Sequence, residues 1–134
     1  MTTVVLDASI IIKWFQKERE EQLEEAEILW KKQLNQDIQI NVPSILFYEL
    51  YNHLSRNPKT DIGSVMGLIR QTDLIEIELD AELISITVGL VRKYHISFYD
   101  ATYIALAESL ECDLITADKK LVRGVHLPFV KLLK

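Results

Sequence analysis

Short apolar, β-branched runs alternate along this chain with longer stretches of helical period, and that alternation limits the fold more than any other feature. Thr3–Leu6, Gln39–Val42, Leu74–Glu78 and Asp113–Thr116 read as strands. Val125–Val130 reads as a final strand, placed at an edge or ended early because Pro128 cannot donate to a ladder. Between them lie helical segments at Ala8–Phe15, Arg19–Leu34, Ser44–Arg56 and Ile62–Gln71. Pro43 is placed in the first turn of the third of these, where a missing N–H is tolerated. A long helix capped by Asp80 carries the stripe Leu83, Ile84, Thr87, Leu90, Val91 and Tyr94, and an alanine-rich helix spans Phe98–Leu110. A short helical turn is expected at Asp118–Leu121. Strands that alternate with helices predict an α/β domain with a mostly parallel central sheet.

The 134 residues suit one domain, residues 1–134, and 49% of them are apolar, enough for a core without staples. The lone Cys112 can form no internal disulfide, and the chain shows neither a leader nor a bilayer-length apolar run, so a cytoplasmic, non-membrane protein is expected. Twenty acids against fifteen bases leave a net charge of −5, the wrong sign for a protein that simply coats nucleic acid.

In open parallel sheets, sites lie beyond the carboxyl ends of the strands. Asp7 and Asp118 fall at such ends, and Asp100 opens a helix in Ser97-Phe98-Tyr99-Asp100. Each has a plain alternative as a helix cap or capping-box acid, since acids near helix N-termini accept orphan N–H bonds. Glu49 resists that account. It lies inside a helix and borders the apolar residues Ile45, Leu46, Leu50 and Leu54, where a carboxylate is costly unless paired or bound to a cation. Its own alternative is a boundary residue that reaches solvent. Several carboxylates converging at one sheet edge would repel one another or recruit a cation. With so few Cys and His, such a site suits Mg²⁺ or Mn²⁺ better than zinc, and phosphoryl-transfer chemistry uses such sites.

Val4-Val5-Leu6-Asp7-Ala8-Ser9, the mid-helix Glu49, Phe98-Tyr99-Asp100-Ala101 and Leu114-Ile115-Thr116-Ala117-Asp118-Lys119-Lys120-Leu121 together resemble a PIN domain, closest to the VapC-type toxins of toxin–antitoxin pairs. The resemblance runs over nearly the whole chain in the right order. It implies a single PIN-like domain, an α/β/α sandwich with helices on both faces of the sheet. It also implies that Asp7, Glu49, Asp100 and Asp118 are a catalytic quartet holding one or two Mg²⁺ or Mn²⁺ ions, with Ser9 and Thr116 as supporting residues. The implied activity is endoribonucleolytic cleavage by metal-activated water, leaving 5′-phosphate and 3′-hydroxyl ends. The implied partners are RNA, a small cognate antitoxin and a second copy of the chain in a homodimer.

Lys119, Lys120 and Arg123 are candidates to grip RNA phosphates, or else a solvated helix face. His53, one turn after Glu49, is expected at the surface or partly buried, and Trp14, Phe15 and Trp30 in core or dimer packing. The helices around Ile11–Phe15 and Leu46–Leu54 offer apolar surface for an antitoxin. The readings that compete are a non-catalytic PIN-like binding domain, a PIN nuclease of RNA processing, and a receiver-like phosphoacceptor domain, which wants a catalytic lysine at the end of its last core strand.

Overall fold

The computed structural model describes residues 1–134. The elements run β1 (Thr2–Leu6), α1 (Ala8–Phe15), α2 (Leu23–Leu34), β2 (Ile38–Pro43), α3 (Ile45–Leu54), α4 (Ile62–Thr72), β3 (Ile75–Ile77), α5 (Ala81–Tyr94), α6 (Phe98–Ser109), β4 (Asp113–Thr116), α7 (Lys119–Val125) and β5 (Val130–Leu132). The five strands form one sheet in the order β3-β2-β1-β4-β5, and every pairing is parallel. This is the α/β architecture the alternation predicts. Right-handed crossovers put α1–α4 on one face, because β1, β2 and β3 step outward in one direction. They put α5–α7 on the other, where the chain returns to β4 and β5.

A parallel sheet covered on both faces demands apolar strands. Val5, Leu6, Ile40, Val42 and Leu114 are fully buried, and Ile10, Ile11, Leu46, Leu50, Leu54, Ile104 and Leu106 pack into the same core from the helices. Ala101, Ala105 and Ala107 let α6 approach closely, and it touches β1, β2 and β4. Trp14 stacks on Trp30 at 5.9 Å between ring centres, and its indole N–H donates to the Ala26 carbonyl at 2.8 Å, so these rings serve α1–α2 packing.

Some boundaries differ from the sequence reading. The second helix starts at Leu23, not Arg19, because Arg19 (φ 62°) and Gln22 (φ 56°) adopt left-handed backbone. The buried Lys13 holds that loop, donating to Glu20 Oε1 at 3.2 Å and to the Glu21 carbonyl at 2.6 Å. Pro43 closes β2 rather than opening α3. The expected strand Val125–Val130 is a correction. The helix begun at Asp118 runs on to Val125 and is ended by His126 at φ 51°, so the edge strand starts only at Val130. On α5, Ile84 faces outward, 43% exposed, while Leu83 and Thr87 face in. The apolar surface expected at Ile11–Phe15 and Leu46–Leu54 is largely interior, since Ile11, Trp14, Leu46, Leu50 and Leu54 are buried. Ile12, Phe15, Phe47, Tyr48 and Tyr51 remain accessible there.

Candidate active site

The chain reverses its direction of travel across the sheet at β1, which lies between β2 and β4. A crevice opens at such a switch point, outside the carboxyl ends of the strands. Leu6 pairs with Ile115, so the residues that follow, Asp7 and Thr116, meet across that crevice.

Asp7 occupies the N-cap position of α1 but its side chain makes no cap bond. Ser9 Oγ donates to Asp7 Oδ1 at 2.5 Å, and Thr116 Oγ1 donates to Oδ2 at 2.5 Å. The directions follow from a count of protons. Each hydroxyl has one hydrogen. Ser9 Oγ already accepts from the Ala117 N–H at 2.9 Å, and Thr116 Oγ1 from the Asp118 N–H at 3.0 Å, so both hydroxyl protons turn to the carboxylate. Asp7 is only 7% exposed. Burial pushes its carboxyl up to about 6, the two hydroxyls pull the other way, and the nearby Asp100 and Asp118 push it further up.

Asp100 lies in the first turn of α6, whose cap is Ser97: the Ser97 hydroxyl accepts from the Asp100 N–H at 3.0 Å. No return bond from the Asp100 carboxylate completes a capping box. Burial raises the Asp100 carboxyl, and the charge of Asp118 adds to that. Glu49 projects from α3 and is half-buried. The phenol of Tyr103, buried on α6, donates to Glu49 Oε1 at 2.6 Å. Burial raises Glu49, the phenol partly offsets it, and the charge of Asp100 raises it again. Burial, and then the carboxylates of Glu49, Asp7 and Asp100, hold Tyr103 far above the ordinary tyrosine range, so it stays a neutral donor. Asp118 is a true cap, its Oδ1 accepting from Lys120 N at 2.9 Å and Leu121 N at 3.1 Å.

Asp7, Asp100 and Asp118 lie within electrostatic reach of one another, Glu49 lies within reach of Asp100, and Ser9 and Thr116 lie against Asp7. No basic side chain forms an ion pair with any of them. The three ion pairs of the molecule, Lys13–Glu20, Lys31–Glu27 and Lys131–Asp113, all lie elsewhere. No three His, Cys, Asp or Glu side chains form a ready-made coordination group. The donor set still suits Mg²⁺, which keeps several waters and binds through one or two carboxylates plus substrate phosphate. Lys119, Lys120 and Arg123 lie exposed on α7, and His53 is exposed one turn beyond Glu49. Tyr103 was not singled out in the sequence. Its only signal there is a large polar aromatic set among alanines, three residues after Asp100.

The strand order also separates this crevice from a receiver-like site. Receiver-type sheets run 2-1-3-4-5, whereas this sheet runs 3-2-1-4-5 and Lys119 begins a helix instead of ending a strand. The chain belongs to the PIN domain family, whose model matches residues 4–125. A curated relative, ribonuclease VapC3 of Pyrobaculum aerophilum, is 26% identical over 132 residues, covering 88% of this chain and 91% of the relative. Among solved structures, the sarcin–ricin-loop-cleaving toxin VapC20 of Mycobacterium tuberculosis superposes with a TM-score of 0.74 at 15% identity, covering 98% of this chain and 99% of that one. VapBC2 of Rickettsia felis, solved with a promoter DNA fragment, superposes with a TM-score of 0.68 at 20% identity, covering 98% and 97%. No helix is long and apolar enough to cross a membrane.

Proposed function

We propose that this chain is a divalent-metal-dependent endoribonuclease and the toxin of a VapBC-type toxin–antitoxin pair. The observation that carries the reading is Asp7, a buried carboxylate that two hydroxyls hold as an acceptor, with Asp100 and Asp118 close by and no basic side chain paired with them. Ser9 and Thr116 cost the chain a polar network in its interior. Their effect is to fix Asp7 in one orientation while leaving lone pairs on both its oxygens. Asp7, Glu49, Asp100 and Asp118 would hold Mg²⁺ or Mn²⁺. Such an ion, when bound, activates water and stabilises charge on the attacked phosphate.

The rest is done by side chains of this chain. Tyr103 keeps Glu49 from turning away to solvent. Ser97 caps α6 at the Asp100 N–H and so fixes the first turn that carries Asp100. Asp118 uses Oδ1 for its cap, and its Oδ2 carries no hydrogen bond. The same relatives support a small antitoxin as partner, since the Rickettsia protein was solved as VapBC. A homodimer is the further expectation.

The test is RNA cleavage by the purified chain with Mg²⁺ or Mn²⁺, an EDTA control, and the variants Asp7→Asn, Glu49→Gln and Asp100→Asn. Cleavage that needs metal and fails in the variants is expected. Activity that survives in all three would defeat the assignment. RNA binding with no cleavage would return the chain to the non-catalytic reading. Growth arrest on expression, relieved by a small neighbouring gene product, separates a toxin from a processing enzyme.

A further inference from the structure

A hollow of about 500 Å³ lies between the α1–α2 loop and the α3–α4 loop, lined by charged and polar side chains and by Pro58. Arg19 enters from the first loop, His53 from α3, and Arg56 and Lys59 from the second loop, against the single acid Glu18. This local excess of positive charge stands out on a chain of net charge −5. None of Arg19, Arg56 and Lys59 takes part in any of the three ion pairs. Lys13, by contrast, is neutralised by Glu20.

Favourable interaction with the helix macrodipole explains basic residues at the end of α3. It does not explain Arg19 and Lys59, which converge on the same hollow from separate loops. With Pro58 as its one apolar side chain, the hollow offers a hydrophobic peptide or lipid little to pack against. Convergent guanidinium and ammonium groups suit phosphate oxygens.

The hollow is linked to the carboxylates through α3, which carries both Glu49 and His53, and through the α1–α2 loop. His53 follows Glu49 by one helical turn, about 6 Å along the axis, and Arg56 lies just past the end of α3. The loop that carries Arg19 is tied to the carboxyl edge of the sheet. Gln22 Nε2 donates to the Leu133 carbonyl at 3.0 Å, and Leu133 N–H donates to the Thr116 carbonyl at 2.8 Å. Thr116 in turn holds Asp7. A polyanion approaching an acidic site on an acidic protein needs a cationic surface next to it.

We infer that Arg19, His53, Arg56 and Lys59 form a backbone-phosphate subsite that holds single-stranded RNA alongside the acidic crevice. The inference rests on the ribonuclease reading above, and binding without metal tests it separately from cleavage. A fluorescein-labelled single-stranded RNA is titrated into the full chain in EDTA at several salt concentrations, for wild type, Arg56→Ala/Lys59→Ala, and a charge-matched control, Lys31→Ala/Lys32→Ala. The subsite variant should bind several-fold more weakly. Its salt slope should fall by about 1.4, at ~0.7 for each lost phosphate contact. The control should match wild type. Equal affinity and slope in all three proteins, or equal losses in both variants, would overturn the subsite. Tighter binding of poly-glutamate than of RNA, with the same variant sensitivity, would assign the hollow to an acidic peptide instead. If RNA binds through these residues but is never cut with Mg²⁺ or Mn²⁺, the subsite stands and the nuclease reading falls.

Discussion

The β1–α1 and β4–α7 junctions are topological equals. Each ends a parallel strand, each places an aspartate at the N-cap of the next helix, and the two lie side by side at the carboxyl edge. Their chemistry differs. Asp118 does what an acid at that position ordinarily does, accepting two orphan N–H groups. Asp7 leaves the orphan N–H groups of α1 without its side chain and accepts hydrogen bonds from two hydroxyls instead. One junction spends its carboxylate on the helix, the other keeps it for the crevice. Thr116 joins them, donating to Asp7 and accepting from the Asp118 N–H. A cap position thus shows where an acid is, and only its hydrogen bonds show what it is for.

Breaking the Asp7 side of the comparison should have the largest effect. Asp7→Asn is expected to lower metal-dependent RNA cleavage by at least about 10²-fold, as loss of a group that stabilises developing charge does. The same variant should remove a pH dependence of stability. The folded-state value of about 6 lies above that of the unfolded chain, near 3.9. The folded state therefore binds this proton more tightly. The stability from that proton is fully present below about pH 3.9 and is lost as pH rises through about 6, reaching about 3 kcal/mol by pH 7 at ~1.4 kcal/mol per pK unit. Urea melts in EDTA at pH 5 and pH 7 should show the wild type losing more stability over that interval than Asp7→Asn. Equal losses would mean that burial does not tax Asp7. Mg²⁺ should restore part of the loss in wild type, since a ligand of the folded state alone stabilises it.

Tyr103→Phe comes next. It keeps the ring in the core and removes the one hydrogen bond that Glu49 receives from the protein. Residues that orient a metal-binding carboxylate typically contribute roughly 10–100-fold to metal affinity or activity. A loss in that range, with Mn²⁺ affinity measured by calorimetry falling in parallel, is expected. Unchanged binding and cleavage would show that Glu49 needs no brace.

These features differ in how far the sequence disclosed them. The strands that matter most, β1, β2 and β4, are apolar runs that a doubly covered sheet requires, and the acids after β1 and β4 follow from topology alone. The misplaced start of α2 and end of α7 share one physical cause. Glycine is the usual sign of left-handed backbone, yet no glycine here has positive φ, while Arg19, Gln22, Asp73, His95 and His126 do. Helix ends at such residues carry no compositional mark. Tyr103 was hidden because its partner, Glu49, is 54 residues away and its neighbours are alanines that read as packing. Arg19 and Arg56 were hidden for the same reason: nothing local says that two loops meet. The sequence also left Asp7 and Asp118 as equal candidates for caps, because the hydroxyl that distinguishes them, Thr116, is 109 residues from Asp7.

Thr116→Val attacks the link between the junctions. The residue is fully buried and the substitution nearly conserves its shape. It deprives Asp7 of one donor and leaves the Asp118 N–H without its acceptor. A buried polar group that loses its partner costs about 1–3 kcal/mol, which urea denaturation in EDTA will register as a lower midpoint at unchanged slope. A shift below that range would mean that water replaces the hydroxyl, and that the junctions are less coupled than their shared bonds suggest.

The smallest effect should come from the Asp118 side, and it sharpens the comparison most. Asn caps a helix as well as Asp does, whereas Ala does not, at a cost of about 0.5–2 kcal/mol. Asp118→Ala should therefore lose stability in that range while Asp118→Asn stays close to wild type. Their cleavage rates then separate charge from cap. If the carboxylate is committed to α7, Asp118→Asn cuts RNA far better than Asp7→Asn. If it instead falls as far as Asp7→Asn with its stability intact, the unbonded Oδ2 serves the crevice as fully as Asp7 does. The two junctions would then differ only in how each carboxylate is held.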